Sequence, residues 1–243
     1  MDVLSFAGAL DAIDRLLDEG GGGTVFTPNV DHVVISDRDP RLRDAYQSAS
    51  LAVPDGQWLV WASRLLGTPL PEKISGSDLV VPVARRAAAR RRTMYLLGAP
   101  PGVAEEAGRR ITAATGVRIV GCSSPALAVD GNADDRERVL RPIQDVRPDI
   151  VLVALGAPKQ EIWIHRNASA LRPSVLLGVG ASLDFIAGRV RRAPRWISRA
   201  GLEWLFRLVL EPRRLARRYL LNDPKFLAIL LRTLREPRES RVR

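Results

Sequence analysis

The chain has 243 residues, 46 % of them hydrophobic, which supports a sizeable core in one large domain, or a domain with an appendage, and excludes global disorder. No apolar run approaches the ~20 residues of a bilayer-spanning helix. The net charge of +10 is concentrated at one end: residues 185–243 carry 16 Lys or Arg against 5 acids, while residues 1–184 sum to −1, so the basic segment points to nucleic acid, anionic lipid or a diphosphate.

Residues 5–19 predict an amphipathic helix with Leu10, Ile13, Leu16 and Leu17 on one side, broken by Gly20 to Gly23. A strand over Thr24 to Thr27 ends in Thr27-Pro28-Asn29. A helix over Asp39 to Ala49 leads to a short strand, Leu51-Ala52-Val53, stopped by Pro54-Asp55-Gly56. The next helix carries Trp58, Leu59, Trp61 and Leu65, and Lys73 to Asp78 reads as a loop and helix cap. A basic helix from about Leu79 to Arg92 enters the strand Thr93 to Gly98. That strand-to-Gly ending recurs at Gly121, Gly156 and Gly178. Four strand–Gly–helix cycles, 93–115, 117–146, 149–171 and 174–188, predict an α/β fold: a Rossmann-like, mostly parallel sheet flanked by helices.

After Gly188 the period changes. Ala200 to Leu210 places Leu202, Leu205, Phe206, Val209 and Leu210 on one helical face, and Pro212 stops it. Arg213 to Leu221 forms a second helix. Asn222-Asp223-Pro224 opens a third, lined by Phe226, Ile229 and Leu230. The expected organisation is a core over 1–190 and a basic helical appendage over 191–243.

Several motifs fail. Asp37-Arg38-Asp39 has the spacing of a metal-binding Asp-x-Asp pair, but Pro40 follows it as at a helix start. Gly178 to Asp184 begins like a dinucleotide fingerprint and lacks its third glycine. His32 and His165 are the only histidines, and Cys122 is the only cysteine, so no His/Cys zinc set exists. The lone cysteine forms no internal disulfide and fits a cytosolic setting, as does an N-terminus without a basic and then apolar leader pattern. No metal and no cofactor are expected.

Other motifs hold. Apolar runs that end in polar turns deliver side chains to the carboxyl rim of a parallel sheet, where such sheets bind ligands. Asp55 at that rim is either a helix N-cap or a general base for an attacking hydroxyl. Thr27 and Asn29 are either turn residues or groups that orient a sugar. Lys159-Gln160-Glu161, after Gly156-Ala157-Pro158, is either a solvated first turn or a nucleotide contact.

Five blocks carry a resemblance. Thr27-Pro28-Asn29, Pro54-Asp55-Gly56, Ile74-Ser75-Gly76-Ser77-Asp78, Leu155 to Glu161, and Arg192-Ala193-Pro194 with Gly201 to Arg207 resemble the WecG/TagA/CpsF glycosyltransferases, in order from about residue 5 to residue 232. The resemblance implies inverting, metal-independent transfer of an N-acetylmannosamine-type sugar from a UDP donor to a polyprenyl-diphosphate-linked sugar. The setting it implies is cell-surface polysaccharide synthesis at the inner face of a bacterial membrane. It puts the catalytic base on Asp55, pocket positions on Thr27, Asn29 and Gln160, the uridine position on Asp184, a basic position on Lys73, and the diphosphate near Arg207, Arg214 and Arg217. Gly156 and Glu161 fall within its most specific block. The apolar and basic faces of the appendage together are expected to bind an anionic membrane surface peripherally. The same apolar face leaves homo-oligomerisation open. The tail aromatics fall at packing positions, which speaks against nucleic acid. The alternative function is a non-catalytic UDP-sugar-binding protein of the same fold.

Overall fold

A computed structural model describes residues 1–125, 133–199, 201–216 and 224–235. In chain order the first elements are α1 (Phe6–Asp18), β1 (Gly23–Phe26), α2 (Val30–Ser36), α3 (Pro40–Gln47), β2 (Leu51–Ala52), α4 (Gln57–Leu65), α5 (Gly76–Ala89) and β3 (Thr93–Gly98). They are followed by α6 (Val103–Thr115), β4 (Arg118–Ser123), α7 (Ala133–Val146), β5 (Ile150–Ala154), α8 (Lys159–Asn167), β6 (Val175–Gly178) and α9 (Ser182–Ile186). The C-terminal segment adds α10 (Arg195–Arg199), α11 (Glu203–Leu210), α12 (Pro212–Ala216) and α13 (Lys225–Arg235). No described helix is long and apolar enough to cross a membrane.

Among the described residues six strands form one sheet in the order β2-β1-β6-β5-β3-β4. Every pairing is parallel. Side chains alternate between two cores with the period of two that a pleated strand imposes. Val25, Met94, Leu96, Ile150, Leu152, Val175 and Leu177 face the core shared with α1, α5, α6 and α9. Phe26, Tyr95, Leu97, Val151, Val153 and Leu176 face the core shared with α3, α7 and α8. Burial on both faces explains why the strands read as continuous apolar runs. On the first face an ion-pair ladder ties α1 to α5: Arg86 reaches Asp11 at 2.6 Å and Asp14 at 2.9 Å, and Arg90 reaches Asp14 at 3.3 Å and Asp18 at 3.1 Å.

One feature differs from the sequence expectation, and two helices carried none. Gly121 lies inside β4 rather than after it. A Cβ there would sit 2.5 Å from Tyr95 Cε2, so the glycine makes room for a ring on the neighbouring strand. The segment Val30 to Ile35, with β-branched Val30, Val33, Val34 and Ile35, is helical against its propensity. Asn29 caps α2 by accepting the Asp31 and His32 amides at 3.1 and 3.4 Å, while His32 Nδ1 accepts the Asn29 amide at 3.1 Å. This is a capping box with histidine in the usual Glu/Gln place. Val34 of α2 then buries against Leu59 and Ala62 of α4 and Phe226 of α13, forming a third core. The short helix α10 also had no sequence signal.

Because all strands run the same way, their carboxyl ends share one edge. The residues after β1, β2, β5 and β6 therefore form a single rim, and the C-terminal helices lie against the β1–β2 end of it.

Candidate active site

Asp55 follows β2 at that rim. Its amide donates to the Pro28 carbonyl at 2.7 Å, and the Ile74 amide donates to Pro54 at 2.8 Å, so three loops are tied together around it. Gly56, at φ +139°, occupies the N-cap position of α4, and among the described residues no side chain caps that helix. The Asp55 carboxyl is thus left for other work. It opens on a cleft of ≈ 380 Å³. Asn29, Asp31 and Lys73 line its core side, Ser198, Glu203 and Arg207 come from α10 and α11, and Trp58, Trp204, Phe226 and Leu227 supply an apolar wall.

The charges in this cleft are arranged by segments far apart in the chain. Lys73 Nζ donates to Glu203 Oε2 at 3.1 Å and also to Ser198 Oγ; the Ser198 hydroxyl donates to the same Glu203 oxygen at 2.7 Å. Burial pushes the Glu203 carboxyl up, but the Lys73 charge, the two hydrogen bonds and Arg192 together hold it below its usual value. Asp55 goes the other way. The residue is half-buried, yet its carboxyl is enclosed enough for burial to be the main cause of a pKa pushed up to about 7. The Glu203 charge adds to the rise, Lys73 and Arg207 oppose it, and Asp78 adds a smaller push upward. A carboxyl poised near neutrality beside two cations is suited to taking a proton from a hydroxyl.

The other sequence candidates occupy distinct places. Thr27 is buried, and its hydroxyl donates to the Gly178 carbonyl at 3.4 Å. Asn29 lines the cleft while capping α2. Gln160 is buried below the rim: its Oε1 accepts the Gly180 amide at 3.0 Å, and its Nε2 donates to Glu161 Oε1 at 2.6 Å. Glu161 is also buried, with Oε1 4.0 Å from His32 Nε2. Burial pushes its carboxyl up to about 7; the Gln160 hydrogen bond opposes this and the Asp31 charge reinforces it. Thr27, Gln160 and Glu161 therefore form the underside of the rim and join the loops after β1, β5 and β6. Gly156 is exposed at φ +75°, between β5 and α8. Asp184 is half-buried in the first turn of α9. Neither of these two lines the Asp55 cleft. Arg207 spans the gap, with its guanidinium carbon 5.6 Å from the centre of the Phe185 ring on α9. Arg217 lies outside the described residues, as does the side chain of Arg214.

Along residues 1–240 the chain matches the Glycosyl transferase WecG/TagA/CpsF family. It belongs to that family. Among curated relatives, a Bacillus spizizenii protein is 32 % identical over 232 residues, covering 95 % of this chain and 86 % of the relative. A Bacillus subtilis protein is 33 % identical over 219 residues, covering 89 % and 82 %. Both are named N-acetylglucosaminyldiphosphoundecaprenol N-acetyl-beta-D-mannosaminyltransferase.

The blocks that resemble the WecG/TagA/CpsF family meet in space. Arg192 Nη2 donates to Asp78 Oδ1 at 2.6 Å, and Ser75 Oγ donates to the other Asp78 oxygen at 2.5 Å. The Trp58 indole donates to the Gly201 carbonyl at 3.2 Å. Glu203 of the Gly-Leu-Glu-Trp block clasps Lys73. Sequence reasoning named Glu203 only as part of that block and gave Ser198 no role; for Ser198 no local signal exists. Cys122 is half-buried beside the first core, and burial, with the Glu105 charge, pushes its thiol up to about 11, which disfavours the nucleophilic thiolate.

Proposed function

We propose that this chain transfers an N-acetylmannosamine-type sugar from a UDP donor to a polyprenyl-diphosphate-linked sugar, with inversion and without a metal ion. The observation that carries the reading is Asp55, a rim carboxyl pushed up to about 7 in a cleft that also holds Lys73 and Arg207. The names of the two Bacillus relatives support the sugar and the acceptor class.

In the proposed step, the Asp55 carboxylate takes the proton of an acceptor hydroxyl. That oxygen attacks the anomeric carbon from the face opposite the diphosphate. The C–O bond to phosphate breaks, and its electron pair leaves with UDP. One displacement inverts the centre, so no covalent enzyme intermediate is required. Arg207 and Lys73 offset the charge that grows on the leaving diphosphate. Asp55 follows β2 and Gly156 follows β5, three strand spacings or about 14 Å along the rim. The donor would run along this edge, with its uridine toward Gly156 and Asp184 and its sugar toward Asp55 and Asn29, over a floor fixed by Thr27, Gln160 and Glu161. Metal independence is supported by the use of the Asp-x-Asp carboxylates elsewhere: Asp39 caps α3 and pairs with Arg41 at 2.8 Å, and Asp37 pairs with Arg232.

Residues 191–243 would act as an appendage to a 1–190 core, completing the cleft and resting on the inner face of the cell membrane. Leu202 just before α11, Leu205, Val209 and Leu210 of α11, and Leu227 and Leu231 of α13 are all exposed within the basic segment. Apolar and cationic groups acting together give peripheral binding to an anionic surface.

The test is a panel of UDP-sugars offered with a short-chain lipid-diphosphate sugar in the presence of EDTA, read by mass spectrometry, with the anomeric configuration read by NMR. UDP-N-acetylmannosamine is expected to add one N-acetylhexosamine with inverted configuration. UDP-sugar binding without a transfer product from any donor supports the non-catalytic alternative instead.

A further inference from the structure

We propose that Trp58 is the aromatic subsite on which the acceptor's sugar ring lies while Asp55 takes its proton. This rests on the transferase reading above. Trp58 stands one helical turn after Asp55, in the first turn of α4, on the wall of the same cleft. It keeps 44 % of its surface exposed. Its one polar atom is nevertheless satisfied within the protein, by the hydrogen bond to the Gly201 carbonyl. Its ring meets Trp61 edge-to-face, with centroids 5.2 Å apart and planes at 76°. Trp61 in turn closes on Gly201, which sits at φ +71° and where a Cβ would lie 3.0 Å from the Trp61 ring. The Trp58 indole is therefore held from two sides while much of it remains open. Such an immobilised aromatic binds at a low entropic cost.

A pyranose ring has a face of C–H groups and an edge of hydroxyls. The cleft has the complementary division. Trp58, with Trp204 nearby, offers aromatic surface to the C–H face, and the Asp55 carboxyl offers a polar group to the hydroxyl edge. A uracil fits this place poorly, because in the donor a ribose and a diphosphate separate the base from the reacting carbon, and Asp55 must touch the reacting hydroxyl. The donor sugar fits less well than the acceptor. In-line attack puts the acceptor on the side of the anomeric carbon away from the diphosphate, where Asp55 must reach its hydroxyl. Arg207, over Phe185 of α9, marks the diphosphate side, whereas Trp58 belongs to α4, after the edge strand β2.

The experiment is steady-state transfer with Trp58→Leu and Trp58→Phe, measuring acceptor and donor KM separately. Trp58→Leu is expected to raise the acceptor KM about three- to tenfold, with the donor KM changed less than about twofold. Trp58→Phe keeps a ring but loses the hydrogen bond to Gly201, and is expected to stay near wild type. An unmoved acceptor KM in Trp58→Leu overturns the proposal. So does an equal rise in both variants, which would assign the effect to the Gly201 hydrogen bond, or a change confined to the donor KM. A second measurement needs no variant: saturation-transfer NMR on the wild-type protein, with irradiation of aromatic protons, is expected to label the C–H protons on one face of the acceptor sugar, and no transfer overturns the proposal. Wild-type protein that transfers sugar normally while Trp58→Leu is unaffected sinks this inference alone. Wild-type protein inert with every donor sinks the transferase reading beneath it.

Discussion

Lys73 and Glu203 form an ion pair, Nζ to Oε2 at 3.1 Å, across 130 positions of the chain. The pair joins the loop before α5 to the start of α11 and closes the cleft around Asp55. Its two charges act on Asp55 in opposite senses, so this carboxyl is tuned by a contact between residues 130 positions apart, one of them in the C-terminal helices.

Asp55→Asn removes the proposed base with little change of shape. General acid–base help contributes ~10²–10⁴-fold, so turnover with the natural acceptor should fall by at least about a hundredfold while UDP affinity stays near normal. Isothermal titration with UDP alongside a product assay reads both. Wild-type turnover in this variant rules the assignment out.

The pH profile carries a sign. A base with a pKa of about 7 is mostly protonated below that pH, so kcat/KM for the acceptor should rise as pH increases through about 7. The charged groups acting on Asp55 are Glu203, Lys73, Arg207 and Asp78. Glu203→Gln removes a negative neighbour and should move the rising limb to lower pH. Lys73→Met removes a positive one and should move it to higher pH. Limbs that move together, or stay fixed, would contradict the proposed coupling.

Stability should oppose activity at Asp55. An acid whose folded pKa lies above its unfolded value of 3.8 is penalised when charged, so the wild type loses stability as pH rises from about 4 through about 7. Asp55→Asn escapes this penalty. Its Tm should exceed that of the wild type by at least about 2 °C at pH 8, and the difference should vanish below about pH 4. Calorimetry at the two pH values checks it.

Gly98 ends β3 at φ +98°, and a Cβ there would lie 2.6 Å from the Ala154 carbonyl oxygen on β5. Backbone cannot yield as a flexible side chain can. Gly98→Ala should therefore cost about 2–4 kcal/mol, visible as a lower denaturation midpoint in urea. An unchanged midpoint would mean that the strands separate more easily than their packing indicates.

Membrane association should depend on the exposed apolar face as well as on charge. Val209 is 73 % exposed and Leu231 56 %. The double substitution Val209→Asp with Leu231→Asp should cut co-sedimentation with anionic liposomes severalfold. Raising the salt should weaken wild-type binding, because each basic residue near an anionic surface contributes only ~1 kcal/mol and is screened within ~8 Å. Sedimentation unchanged by both treatments would remove α11 and α13 from the membrane contact.

The parallel sheet and its rim were legible from the chain's local pattern alone. Strands buried on both faces, such as Ile150 to Ala154, must be apolar throughout, and a polar turn after each one places Asn29 and Asp55 on a common edge. Local pattern also marked α1, α4 and α6, whose faces follow the helical period. Tertiary structure decided what local pattern does not encode. Val30 to Ile35 became helical because Asn29 and His32 cap it and Phe226, almost 200 residues away, covers Val34. Thr27, Gln160 and Glu161 turned beneath the rim because the loops of β1 and β6 close over them. Lys73, Ser198, Glu203 and Arg207 surround Asp55 only after α10 and α11 fold back across the sheet edge. Propensity and periodicity act over a few residues, whereas the charge felt by one carboxyl is the sum over whatever the complete fold brings near it.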